Sequence, residues 1–244
     1  MKSFGGRSTI FDFNPFEEST TQMHQLGTKG ETGDGRIFRY GKAGEEIPLG
    51  YLAVMPDQDT AELTISVTTA AAIGDKKVIF THAATTATAN EYAEGYLSVS
   101  FGTGIGQTLK IASHAALTSG GTGEYVNLED PIQVALDTTS RIDLTPNVYS
   151  GVLTVTTDAA ISVPCGVPLR TVTSGSYAWF QTRGVVAVAA DATIAAGYEV
   201  QGDTDDAAGG KVTVTGTDAQ VWKIGHALQA AADTYSHPIY LTID

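Results

Sequence analysis

Residues 176–200, SYAWFQTRGVVAVAADATIAAGYEV, hold the densest apolar sequence of the chain: an aromatic stretch, a glycine, a nearly uninterrupted small-apolar stretch and a second glycine turn. Half-buried strands alternate apolar and polar residues, whereas strands covered on both faces read as near-continuous apolar runs. The run at 185–190 is therefore expected to lie inside a sandwich or barrel, buried on both faces. The stretch carries no plausible catalytic group, so it reads as scaffold.

The rest of the chain extends that expectation. Short runs of Thr, Ala, Val and Gly recur from end to end, and charged residues make up only 17% of the 244, so strand and turn formers outnumber helix formers. The expected class is all-β: an antiparallel sandwich or barrel-like domain or domains, with an extended N-terminal arm and little helix. A chain of this length fits one large β domain or two small ones. Fourteen basic against 27 acidic residues give a formal charge of −13. Such a surface repels phosphate backbones and anionic membranes, so neither nucleic acid nor membrane is an expected partner. Cys165 has no second cysteine to pair with. The N-terminal MKSFGGRSTIFDFNPF lacks the roughly 7–15 apolar residues of a signal peptide, and no window reaches the ~18 of a membrane span. The expectation is a soluble protein made in a reducing cytosol.

Three regions are expected: an arm at 1–23, a β region at 24–147 and a C-terminal β domain at 148–244. The arm contains Gly5-Gly6, Asn14-Pro15 and a Glu-Glu-Ser-Thr-Thr run, with neither period two nor helical period. Phe4, Phe11, Phe13 and Phe16 do not suit a free tail, because four solvated aromatics would form a costly exposed patch. They are the candidate partner-binding residues, expected to anchor against a neighbouring subunit, with packing onto their own domain as the alternative. Asp34-Gly35 is expected to turn a hairpin before a strand at 36–40. Lys29, Arg36, Arg39 and Lys42, with Arg7 upstream, form a basic cluster that reads as a solvated strand face or a contact for an acidic partner. Alternation predicts buried faces of Leu63, Ile65 and Val67, of Leu97, Val99 and Phe101, and of Leu109 and Ile111. Further strands are expected at 132–136, 152–156, 212–215 and 239–243. Short helices are candidates at 69–74 and 226–233, the latter equally able to finish a strand begun at Val221.

Chemical motifs are weak. Gly102, Gly104 and Gly106, and the Ser119-Gly120-Gly121-Thr122-Gly123 run, lack a Walker lysine and open no helix, so they read as turns. Asp203, Asp205 and Asp206 offer calcium-type oxygen ligands without an EF-hand pattern and read as a charged turn. His24, His82, His114, His226 and His237 show no zinc spacing. Cys165, flanked by prolines and without a neighbouring cation, reads as a buried structural thiol. There is no Gly-x-Ser-x-Gly, and no spacing proposes the carboxylate pair of a glycosidase. No catalytic residue, cofactor or metal is expected.

Four blocks carry a resemblance: HQLGTKGETGDGRIFRYGKAG from His24, NEYAEGYLSVSFGTGIGQTLKI from Asn90, LEDPIQVALDTTSRIDLTPNVY from Leu128 and GVPLRTVTSGSYAWFQTRGVVAVAADATIAAGYEV from Gly166. Together they resemble a family of tailed-phage virion proteins found among capsid-associated structural proteins. The resemblance spans residues 24–244 and leaves the arm unmatched. It implies a non-enzymatic decoration or cement role on the capsid exterior, with the major capsid protein as partner and a homotrimer or other homo-oligomer as the assembly. The competing class is a receptor- or glycan-binding head fibre, with Tyr92, Tyr96, Tyr125 and Tyr149 as stacking candidates.

Overall fold

A computed structural model describes residues 9–56, 58–83, 85–155, 162–203, 209–215, 222–230, 232 and 235–244. Phe4 and Arg7, as well as Asp205 and Asp206, lie outside the described residues. The chain forms two compact units, Met1–Asp57 with Val148–Asp244, and Gln58–Asn147. The second unit is an insertion into the first. The expected middle region 24–147 is accordingly split at 57/58, its opening part folding with 148–244. A partition by composition along the chain does not register an insertion, because both flanks of the insert are equally rich in β formers.

The first unit opens with β1 (Glu18–Ser19), β2 (Lys29–Glu31), β3 (Ile37–Ala43) and β4 (Ala53–Val54). The inserted unit holds a 3-10 turn, Thr60–Glu62, then β5 (Ile65–Thr69), β6 (Lys77–Thr81), β7 (Tyr96–Phe101), β8 (Thr108–Ser113), β9 (Thr122–Leu128) and β10 (Arg141–Thr145). The chain returns with β11 (Ser150–Thr154), β12 (Pro164–Pro168), β13 (Tyr177–Ala189), β14 (Glu199–Gly202), β15 (Val212–Val214), β16 (Lys223–Ala227) and β17 (Ser236–Thr242). The fold is all-β, as the composition predicts.

In the inserted unit, β10, β5, β6, β9, β8 and β7 close an antiparallel barrel. Val78, Phe80, Leu97, Val99, Leu109, Ile111, Val126, Leu128, Ile142 and Leu144 alternate inward along their strands and form one core. Closure leaves no exposed strand edge. Two expected core residues fall outside it. Leu63 precedes Thr64, whose φ of 57° breaks the period before β5 begins, and Phe101 ends β7 beside the turn at 102–106; both are exposed. Residues 132–136 do not form the expected strand but a loop with one bridge, Leu136 to Ala71. The stretch 69–74 is the end of β5 and a turn rather than a helix, and 226–227 finish β16.

In the first unit, β13 organises everything. Its first half pairs with β3 and β12, and the pairings β12–β4, β4–β11 and β11–β3 return to it, so five strands make a ring. Ala43, Ala53, Val152, Cys165, Ala178 and Phe180 from these strands form one core cluster. Its second half pairs with β17, which continues through β16 and β14 to β15, and a bridge from Ala190 to Val212 closes this second set. Val186, Val188, Val200, Ile224, Ile239 and Leu241 fill that core. The changeover lies at 181–184: the register against β3 shifts between Gln181 and Arg183, and Gly184 takes φ 92°. The Gln181 side-chain amide donates to the carbonyls of Arg183 and Val185 across the kink.

The expectation of burial on both faces at 185–190 is corrected here. Residues 178–182 are the doubly buried part, whereas Val185 and Ala187 face outward, exposed, and Val186, Val188 and Ala190 face inward. A run of small apolar residues looks the same whichever face is open.

Candidate functional site

Three of the four sequence-predicted partner residues, Phe11, Phe13 and Phe16, lie on residues 9–24, which run along the β2–β3–β13 surface of their own unit. Backbone bonds fix the path at both ends. The Ile10 N–H donates to the Lys29 carbonyl and the Glu31 N–H to the Ile10 carbonyl, each at 2.9 Å, making Ile10 a parallel partner of Gly30 at the edge of β2. At the other end β1 pairs with β13, Glu18 opposite Ala178. Between them Phe13 packs on Trp179, ring centroids 4.4 Å apart, and meets Phe38 edge-on at 5.5 Å. Gly30 makes room for it: a Cβ there would fall 2.6 Å from the Phe13 ring. His24 and Tyr40 complete the nest around Trp179 at 5.4 and 5.1 Å.

Phe13 follows the alternative expectation, packing onto its own chain. Phe11 and Phe16 do not: they are 72% and 55% exposed. Their outward placement is enforced by polar pins. Asn14 turns the chain, its side chain accepting from the Phe16 N–H at 3.0 Å and its carbonyl from the Glu17 N–H at 3.0 Å. Arg170 bonds the Phe16 carbonyl at 3.3 Å and pairs with Glu18 at 2.6 Å. Burial works to raise the Glu18 carboxyl, yet the Thr173 N–H and hydroxyl and the Arg170 guanidinium outweigh it and hold the group below its ordinary value. The result is two exposed phenylalanines on a segment whose backbone is bonded to its own unit at Ile10, around Phe16 and at β1. The cleft beside it, lined by Glu17, Met23, His24, Tyr40 and Trp179, has a volume of about 20 Å³, room for one water and not for a substrate.

The remaining candidates resolve into structural roles. Lys29 pairs with Glu31 and Arg36 with Asp34, Arg39 grips Asp244 through two bonds, and Lys42 lies over Tyr177, so these four cations of the predicted basic cluster are engaged within the chain. Tyr92 is buried, its hydroxyl pKa pushed up by that burial, and Lys77 covers the Tyr125 ring at 3.6 Å. Cys165 is buried and donates to the Val148 carbonyl, and burial pushes its thiol up, away from nucleophilic use. Gly102, Gly104 and Gly106 form the β7–β8 turn.

One polar cluster escaped the sequence reading. Glu62 and His82, both buried, meet at 2.9 Å, and Thr85 also donates to Glu62 Oε1. The other ring nitrogen of His82 lies 3.2 Å from the Thr118 carbonyl. His114 accepts from the Tyr92 N–H through Nε2, and its Nδ1 lies 2.6 Å from the Ala115 carbonyl. Twenty residues separate Glu62 from His82, beyond any local motif. With both side chains shut away from solvent, the pair braces the 3-10 turn against β6 and has no route to a substrate. Among the described residues no three His, Cys, Asp or Glu side chains gather as a metal site.

Compared with known protein families, curated proteins and solved structures, the chain gives no match.

Proposed function

We propose that this chain is a non-enzymatic virion structural protein that decorates and stabilises a tailed-phage capsid by binding the lattice of the major capsid protein from outside. In this reading it is made in the host cytoplasm, assembles as a homotrimer or other homo-oligomer, and uses neither nucleic acid nor membrane as partner. The observation that carries it is the pair Phe11 and Phe16, held outward on a pinned segment. On a repeating lattice such modest contacts add up, because each bound copy raises the effective concentration of the next contact. Of the four tyrosines of the glycan-binding alternative, Tyr92 is buried and Lys77 covers the Tyr125 ring, which leaves the half-buried Tyr96 and Tyr149 to carry it.

Deleting residues 1–22 would strip Phe13 from Trp179 and confound binding with folding, so point changes are the sharper test. Purified tailed-phage shells lacking outer decoration should retain the wild-type chain on sedimentation. Phe11→Ser with Phe16→Ser should weaken retention at least about tenfold, a loss of ~1.4 kcal/mol or more, with the melting temperature unchanged. Equal retention of the double variant would overturn the role of these side chains.

A further inference from the structure

The open face of the second half of β13 continues across two neighbouring strands. Cα pairing places Val185 opposite Tyr240 of β17, and Tyr240 opposite His226 of β16. The next row sets Ala187 opposite Pro238, whose carbonyl accepts from the Leu228 N–H at 2.9 Å. These are outward positions, and Val185, Leu228 and Tyr240 are 48%, 48% and 39% exposed. An antiparallel sheet with one face in water normally carries polar residues there. Here the two middle rows are apolar outside as well as inside, bordered by the polar Arg183, His226, Ser236 and Thr242, as in a surface patch that something covers.

We infer that this face is where a second copy of the chain packs. The choice of occupant follows from charge. Each copy carries a formal −13, so two copies repel wherever their carboxylates face each other. Among the residues of β13, β14, β16 and β17 the one carboxylate is Glu199, opposite His226, and Lys223 pairs with it at 2.5 Å, while Arg183 stands at the rim opposite Thr242. The face is thus a place where like-charged copies can approach closely. Its shape suits the same partner. Sheets stack face to face about 10 Å apart with strands nearly aligned, and a two-fold axis through the Tyr240 row would set the patch against itself.

The inference rests on the homo-oligomer part of the proposed function and not on shell attachment. The test is sedimentation equilibrium of the full chain in solution. Wild type should run as a multiple of 25.5 kDa. Val185→Lys with Leu228→Lys should run as a single chain with an unchanged circular dichroism spectrum. If that pair of lysines disturbs folding, Val185→Thr with Leu228→Thr keeps strand propensity and should weaken association at least about tenfold. Phe11→Ser with Phe16→Ser should associate as wild type does. A single-chain wild type would overturn both the face and the oligomer. Association that survives the face variants but fails in the arm variant would overturn the face alone. Glycan-array binding by a single-chain wild type, lost in the face variants, would reassign the surface to a sugar.

Discussion

The two halves of β13 are built from the same kinds of residue, yet they live in different surroundings. Residues 178–182 lie between β3 and β12, over the first core, with residues 9–24 laid across the outside so that Phe13 covers Trp179. Residues 183–189 pack only their inward side, and Val185 and Ala187 stay open. The difference teaches that burial here is decided by what crosses a strand and not by the hydrophobicity of the strand. Where the chain supplies its own cover, the face belongs to the fold; where it does not, the face is available for binding.

The largest way to break this comparison is in the covered half. Trp179→Ala removes a side chain enclosed by Phe13, His24 and Tyr40 and should cost about 3–5 kcal/mol in a denaturant melt. A cost as small as that of an exposed residue would mean that residues 9–24 do not cover it. Next is the kink between the halves. Gly184→Ala places a side chain at φ 92°, with the Arg36 Cγ 2.9 Å from the new Cβ, and should cost about 1–2 kcal/mol by the same measurement.

The changeover is also tied by charge. Arg39, on β3 opposite Phe180, holds Asp244 at 2.5 and 2.8 Å, and the Thr182 hydroxyl donates to the same carboxylate at 3.1 Å. The Arg39 hydrogen bonds hold the Asp244 carboxyl below its ordinary value despite burial. A depressed carboxyl stabilises the fold above the unfolded value of about 3.9 and loses that contribution as pH falls through the lower folded value. Asp244→Asn should therefore lower stability by about 1–2 kcal/mol at neutral pH and flatten the acid side of the stability profile. An unchanged acid profile would detach this contact from the junction. The smallest effect belongs to the open half: at concentrations low enough to keep the chain single, Val185→Ala should change stability by less than about 0.5 kcal/mol. A core-sized loss would show that the face is already covered within the chain.

Much of the fold was legible in the chain itself. Period two in 97–99 and 109–111 fixed which side chains enter the inserted barrel, and Asp34-Gly35 marked the turn between β2 and β3. Four things were not legible, each for a physical reason. The insertion was hidden because a discontinuous unit leaves no local trace. The sidedness of 185–190 was hidden because it depends on partners far away in sequence. The division among Phe11, Phe13 and Phe16 was hidden because it hangs on Gly30, whose missing side chain makes the seat for one ring alone. The Glu62–His82 contact likewise joins residues that only barrel closure brings together.

The most direct test of shell binding through the outward phenylalanines is an electron cryo-microscopy map of undecorated tailed-phage shells incubated with the full chain. The account predicts ordered density on the shell exterior, with Phe11 and Phe16 seated in the major capsid protein. Saturated shells bearing no such density, or density that contacts the shell only through the inserted barrel, would contradict it.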